Sequence, residues 1–240
     1  MVPLFPLGLK KELATEPWFA MKRPNFSAQK LLEVIGANKN KTPKFSRTFP
    51  EHIDSQDIAL KLAGAGGDGA QTAAMLITRA AINEGFDATH IPSYGPESRG
   101  GTSFADVHIA GEEVLSPASP SPHILVAFNA PSLMKFAPAV LPGGTILYDS
   151  TVISELPQVQ EDVKLYGIPF TQIAADLGKV LVKNIVALGA LQAATDLMPR
   201  QSLLTAIQQA LADKCAMIPL NEKAFESGAE ALWLEADRKN

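Results

Sequence analysis

The sequence predicts an α/β fold: a three-layer, Rossmann-like and mostly parallel sheet with helices on both faces and an extended N-terminal arm. An apolar strand pattern begins at Ile58 and runs into a glycine cluster that ends at Gly69. A helical pattern follows at once, from Ala70 to Glu84. Strand and helix patterns then alternate along residues 57–240, which is typical of α/β domains.

Residues 1–56 predict an extended, proline-rich arm for subunit contact. They hold six of the 18 prolines and carry a charge balance of +4, against −8 for residues 57–240. A basic arm on an acidic body favours docking on an acidic surface of another chain. The alternative is an arm that folds back on its own domain. The apolar anchors that suggest docking are Leu4, Phe5, Trp18, Phe19, Phe26, Phe45 and Phe49.

Composition excludes several classes of protein. No apolar run approaches the roughly 18 residues that a membrane-spanning helix needs, and the N-terminus lacks the pattern of a signal peptide. The single cysteine, Cys215, rules out an internal disulfide or a cysteine-only metal or iron–sulfur site. We expect Cys215 to be a small core residue and the protein to be cytoplasmic. The acidic body has no aromatic-basic stripe for binding nucleic acid.

The glycine cluster predicts a site for a phosphate-bearing ligand. Gly64, Gly66 and Gly69 have the G-x-G-x-x-G spacing, at the point where a strand turns into a helix N-terminus. The unpaired N–H groups and the positive dipole end of such a helix attract anions. The alternative is that these glycines only allow the helix to pack tightly on the sheet.

The second strand pattern, from Ala88 to Pro92, argues against a nicotinamide site. In an NAD-binding unit an Asp or Glu at the end of this strand would hold the ribose hydroxyls. Here Asp87 precedes the strand, and the strand's end, Ile91-Pro92-Ser93, has no carboxylate.

A turn-rich loop, residues 94–101, then leads into an alternating strand from Ser103 to Ala110. We expect this loop and the glycine turn to leave the same sheet end, so that Arg99 meets the same anion. Alternatively, Arg99 pairs with Glu97 or with an acid at an interface.

The second half of the chain continues the α/β pattern. The apolar run from His123 to Phe128 predicts a strand buried on both faces. Asn129 follows it, either as a helix cap or as a ligand contact. Strands are predicted over 145–148 and 163–168, helices over 170–213 with breaks at Gly178 and Pro199, and a last helix from Asn221 after a break at Pro219. The segment 180–198 is apolar nearly all round, which predicts a buried helix or one shared with another subunit.

Motifs for independent chemistry are missing from the sequence. The four histidines have no ligand spacing, so no metal site is expected. Neither a nucleophile elbow nor the Lys-Ser/Thr of a nucleotide-triphosphate loop is present. We therefore expect a chain that holds a ligand and has no catalytic residues of its own.

Four segments together resemble the gamma subunit, or gamma domain, of the 2-oxoacid:ferredoxin oxidoreductases, a family that includes pyruvate, 2-oxoglutarate, indolepyruvate and phenylglyoxylate enzymes. The resemblance covers about residues 57–235. The segments are Gly64-Ala65-Gly66-Gly67-Asp68-Gly69-Ala70, Tyr94-Gly95-Pro96-Glu97-Ser98-Arg99-Gly100-Gly101, Pro142-Gly143-Gly144-Thr145 and the stretch from Gly178 to Leu191.

The resemblance implies a subunit of a complex that converts a 2-oxo acid to an acyl-CoA and passes electrons to ferredoxin or another acceptor. It implies thiamine diphosphate, Mg²⁺ and iron–sulfur clusters on partners, namely alpha and beta thiamine-binding subunits and a ferredoxin-like subunit. It also implies that this chain binds coenzyme A. The expected cofactor-binding residues are Gly64, Gly66, Gly67, Asp68, Gly69, Arg99, Gly100, Gly101 and Asn129.

Asp68 departs from the family, which usually has glutamine at this position. A carboxylate in a phosphate loop repels the ligand unless it points away or is paired. Two other functions stay open: an architectural subunit without a ligand, and an independent NAD(P)-linked dehydrogenase, which the glycine spacing suggests.

Overall fold

In the computed structural model of the protein, the described residues are 49, 57–94, 102–114 and 116–237. Most of the predicted arm lies outside these residues, as do Arg99, Gly100 and Gly101. Phe49 is the one arm anchor that is described. Its ring stacks on that of Phe86 with 4.8 Å between the ring centroids, so this residue contacts its own chain.

A sheet of six strands forms the centre of the domain, with the order β2-β3-β1-β4-β5-β6. β1, β4, β5 and β6 are parallel, whereas β3 runs antiparallel to both β1 and β2. The mostly parallel sheet is therefore confirmed, with one reversed strand. The strands are β1 (Asp57–Ala65), β2 (Asp87–Tyr94), β3 (Thr102–Ala110), β4 (Ile124–Ala127), β5 (Thr145–Asp149) and β6 (Lys164–Ile168).

The reversed strand has a consequence for ligand binding. In an NAD-binding unit the second strand lies next to the first and parallel to it. Here β3 lies between β2 and β1, and β3 is antiparallel to β1. This arrangement, together with the lack of an acid at the carboxyl end of β2, counts against a nicotinamide site.

Helices cover both faces of the sheet, as predicted. One apolar core joins the sheet to α1, α4, α5 and α6, and a second, smaller core joins β4 and β5 to α2 on the other face. All four residues of β4 are buried, which confirms the strand predicted to be covered on both sides. The helices are α1 (Ala70–Glu84), α2 (Ala130–Phe136), α3 (Phe170–Asp176), α4 (Lys183–Thr195), α5 (Arg200–Ala210) and α6 (Ile218–Asp237), with 3₁₀ turns at Val180–Val182 and Ala212–Met217.

The apolar helix α4 is buried within its own domain, against α6. A Cβ atom added to Gly189 would lie 1.8 Å from the carbonyl oxygen of Phe225. One added to Gly228 would lie 1.9 Å from that of Val186. The two backbones therefore touch through glycines, one on each helix, where no side chain fits.

Two predictions about local structure are wrong. The last helix begins at Ile218 and not at Asn221, because Pro219 falls in its first turn, where a missing N–H breaks no helical hydrogen bond. Cys215 is exposed, not a core residue, because α5 ends at Ala210 and the chain continues as a surface 3₁₀ turn. Its thiol donates to the carbonyl oxygen of Ala212 at 3.0 Å.

Candidate functional site

The glycine turn joins β1 to α1 and leaves the helix N-terminus uncapped. The N–H of Asp68 donates to the carbonyl oxygen of Ala65 at 3.1 Å and closes the turn. Gly67 and Gly69 have φ values of +101° and +84°, which favour glycine. Gly69 is the N-cap of α1 and offers no capping side chain, and the first turn of α1 contains no acid. The first N–H groups of α1 are thus available to an anion.

Two glycines of the turn are in close contact with neighbouring side chains, and two others border open space. A Cβ at Gly64 would lie 2.7 Å from Oδ2 of Asp68, and one at Gly69 would lie 2.8 Å from Cβ of Asn184. Around Gly66 and Gly67 an added Cβ would meet nothing within 4 Å. Gly64 and Gly69 therefore serve the close packing that was one alternative, while Gly66 and Gly67 border open space.

The carboxylate of Asp68 is held inside the turn and neutralised. Oδ2 accepts the N–H of Ala65 at 2.6 Å, and Oδ1 accepts from Nζ of Lys183 at 2.7 Å. The ion pair is largely buried, with 17% of the Asp68 side chain and 14% of the Lys183 side chain exposed. The negative charge is thereby matched by a cation on α4, which removes most of its repulsion toward an anion at the turn.

A cavity of about 680 Å³ opens at the glycine turn. Asn184 on α4 reaches its wall and donates weakly to the carbonyl oxygen of Gly69, at 3.5 Å. Most of the surface is apolar and comes from α1, the 3₁₀ turns, α4 and α5. The lining includes Gly66, Gly67, Gly69, Ala70, Gln71, Met75, Leu76, Lys179, Leu181, Asn184, Ile207, Leu211, Lys214, Met217 and Asn221. Asp68 is not part of the described lining.

Gln71, in the first turn of α1, ties the helix to the β2–β3 hairpin and was not predicted. Its Nε2 donates to the carbonyl oxygen of Phe104 at 2.7 Å and to Oγ of Ser103 at 3.1 Å. Nε2 of His90 lies 3.3 Å from the Gln71 Oε1, so the neutral imidazole with hydrogen on Nε2 donates there. Burial lowers the pKa of His90, which favours this neutral form. A glutamine one residue into a helix carries no sequence signal for such contacts.

The loop that contains Arg99, Gly100 and Gly101 begins and ends beside the glycine turn. Tyr94, the last residue of β2, pairs with Ser103, which also pairs with Gly64 on its other side. The carboxyl ends of β1 and β2 thus lie at the same end of the sheet, as expected for this loop. Ser103 itself lines the cavity.

Asn129 is the N-cap of α2. Its Oδ1 accepts the N–H of Ser132 at 2.9 Å. It follows β4, at the same sheet end as the glycine turn, but is not part of the described cavity lining. Of the two roles predicted for Asn129, the structure shows helix capping.

The residues that the structure describes contain no group of three or more His, Cys, Asp or Glu side chains that could hold a metal ion. None of their helices is long and apolar enough to cross a membrane.

Residues 59–231, well over half of the chain, match the family model described as Pyruvate ferredoxin/flavodoxin oxidoreductase. The chain belongs to this family. The predicted resemblance is thereby confirmed. A solved gamma subunit of a keto/oxoacid ferredoxin oxidoreductase, from Geobacter sulfurreducens PCA, has 30% identity and a TM-score of 0.63, over 74% of this chain and 99% of that one.

A relative of this oxidoreductase-family chain is much longer. Ketoisovalerate oxidoreductase subunit VorA from Methanothermobacter thermautotrophicus is 36% identical over 219 residues, which is 90% of this chain but 44% of the relative. The chain thus spans less than half the length of that protein. A match over 90% of the chain is longer than residues 57–240, so it extends into residues 1–56.

A second solved structure with the same fold is the 2-oxoglutarate:ferredoxin oxidoreductase from Magnetococcus marinus, determined with 2-oxoglutarate, coenzyme A and succinyl-CoA bound. Its TM-score is 0.70 at 23% identity, over 75% of this chain and 32% of that chain. At this level of identity the likeness shows the shared fold.

Proposed function

We propose that this chain is the gamma part of a 2-oxoacid:ferredoxin oxidoreductase complex and that its glycine-turn cavity binds coenzyme A. One observation carries the proposal: the cavity opens at an uncapped helix N-terminus, and the carboxylate of Asp68 in the adjoining turn is already paired with Lys183. A phosphate at this position would accept N–H groups of the turn and meet the positive end of α1.

The size and chemistry of the cavity suit a nucleotide with a long, partly apolar tail. Its volume, about 680 Å³, falls within the range of roughly 300–1,000 Å³ that small-molecule sites occupy. The apolar wall formed by Leu76, Leu181 and Ile207 would cover the base or the pantetheine arm. The presence of coenzyme A in the Magnetococcus marinus relative supports the same choice of ligand.

Two segments form the proposed site. Gly66, Gly67 and Gly69 line the cavity, while Gly64 and Asp68 hold the shape of the turn. Arg99, Gly100 and Gly101 belong to the loop whose two ends lie beside the turn, and we propose that Arg99 contacts a phosphate. Asn129 is left out of the proposed site because its side-chain oxygen caps α2.

The reaction itself is assigned to partner subunits. Thiamine diphosphate, Mg²⁺ and iron–sulfur clusters would be bound by alpha, beta and ferredoxin-like subunits, and would supply decarboxylation and electron transfer. This chain would hold coenzyme A with its thiol directed toward the partner's site. Fixing one reactant in this way accelerates a two-substrate step through proximity.

A size series at Gly66 tests the proposal. An added side chain would meet no protein atom within 4 Å of its Cβ, and Gly66 is not a positive-φ glycine, so the fold should tolerate the change. Coenzyme A binding is measured by calorimetry on the complex that contains the full chain. Gly66→Ala should bind almost normally, whereas Gly66→Leu would fill ligand space and weaken binding by about tenfold or more.

Thermal unfolding of the two variants is the control, because both should melt close to the parent protein. Unchanged coenzyme A affinity in Gly66→Leu would favour an architectural subunit, with the glycines serving packing alone. Saturable NADH binding that NAD competes away, without coenzyme A binding, would support a dehydrogenase instead.

A further inference from the structure

Two exposed lysines line a part of the cavity wall that the glycine turn does not form. Lys179 precedes the 3₁₀ turn Val180–Val182, and Lys214 lies in the turn Ala212–Met217. Both line the cavity. Nζ of Lys179 lies 3.4 Å from Sδ of Met217, three residues after Lys214 and also in the lining.

Within the described residues, these two ammonium groups lack the carboxylate partner that Lys61 and Lys183 each have. Lys61 pairs with Asp106, and Lys183 pairs with Asp68. Among the residues that the structure describes, neither Lys179 nor Lys214 has a carboxylate within 4.0 Å. Two unneutralised cations beside one cavity create a local positive potential, which a multiply charged anion would satisfy.

The wall beside the lysines is apolar. Leu181 is next to Val180 in the turn that follows Lys179, and Leu211 immediately precedes the turn that holds Lys214. Aliphatic side chains of this kind can cover the face of a planar base. The cavity thus combines an anion site at the α1 N-terminus, an apolar surface and a separate pair of cations.

We propose that Lys179 and Lys214 form a second anion subsite, which recognises a phosphate monoester separate from the diphosphate bound at the glycine turn. The ligand class is a nucleotide with phosphate on both sides of its nucleoside, such as the 3′-phosphoadenosine diphosphate part of coenzyme A. The inference rests on the proposed function and specifies the ligand further: the chain binds coenzyme A more tightly than 3′-dephospho-coenzyme A.

The experiment compares these two nucleotides in calorimetric titrations of the complex containing the full chain. The parent protein should bind coenzyme A at least about tenfold more tightly, because a phosphate between two ammonium groups makes charge-assisted contacts. In Lys179→Gln/Lys214→Gln the affinity for coenzyme A should fall to that for the dephospho form, which itself should change little. The preference of the parent should also shrink at high salt.

Lys223→Gln is the matched control, since Lys223 is exposed on α6 and does not line the cavity. It should keep the full preference for coenzyme A. Equal binding of both nucleotides to the parent, or an undiminished preference in the double variant, overturns the second subsite while leaving coenzyme A binding intact. Failure of the parent to bind either nucleotide overturns the proposed function and this inference with it.

Discussion

Replacing Asp68 by Asn should lower the stability of the protein and at the same time tighten binding of an anionic ligand. The amide oxygen of Asn can still accept the Ala65 N–H, which now donates to Oδ2 at 2.6 Å. The ion pair with Lys183, at 2.7 Å, is lost. The substitution therefore removes one negative charge from the glycine turn and changes its shape little.

The loss of stability follows from the burial of the pair. Exposed ion pairs contribute about 0–1 kcal/mol, while breaking a fully buried one costs about 3–5 kcal/mol. With 17% and 14% of the two side chains exposed, the Asp68–Lys183 pair falls between these limits. We expect the free energy of unfolding to decrease by about 1–3 kcal/mol, measured by urea denaturation.

The gain in affinity follows from Coulomb's law. Without Asp68 the positive charge of Lys183 is no longer compensated. For an anion placed about 8 Å away, this net gain of one positive charge is worth about 0.5 kcal/mol in a water-like dielectric and about 2 kcal/mol at an effective dielectric constant of 20. Coenzyme A should therefore bind about 2- to 30-fold more tightly to Asp68→Asn at low salt. The gain should diminish in 0.5 M salt, because the Debye length falls to a few ångströms.

Asp68→Asn/Lys183→Gln is the matched control, since it removes both charges and should bring the affinity back toward that of the parent. An unchanged or weaker affinity in Asp68→Asn, alongside the expected loss of stability, would refute the reasoning. It would mean that the ligand's negative charge does not lie near this turn.

Two predictions concern the fold. Gly228→Ala would place a Cβ 1.9 Å from the carbonyl oxygen of Val186, so α4 and α6 must separate. We expect the free energy of unfolding, measured in urea, to decrease by about 1–3 kcal/mol or more. An unchanged unfolding midpoint would contradict the close backbone contact. Burial lowers the pKa values of His90 and His123 below 6.5. The unfolded chain therefore binds more protons just below pH 6.5, and stability should be full above that pH and fall as the pH decreases. His90→Gln should make this fall shallower, and an identical pH dependence would show that His90 does not contribute.

The local elements of this protein were predictable because their signals lie within a few neighbouring residues. Helix α1 runs from Ala70 to Glu84 as the helical pattern predicts, and β4 is buried on both faces as its unbroken apolar run predicts. The turn between β1 and α1 was predictable from its glycines, because its positive φ values favour glycine over other residues. Local signals failed at Cys215, where periodicity continued past the end of α5 into an exposed turn.

Tertiary structure alone decided how the candidate site is charged. Asp68 and Lys183 are 115 residues apart in the chain, so no local pattern could show that the carboxylate is neutralised. Lys179 and Lys214 likewise line one cavity only because folding brings together two segments that lie far apart in the chain. Periodicity and turn chemistry act over about one helical turn or strand, whereas electrostatic pairing depends on distance in space. The sequence by itself thus determined the glycine turn at which we propose that an anion binds, and folding determined which charges surround that turn.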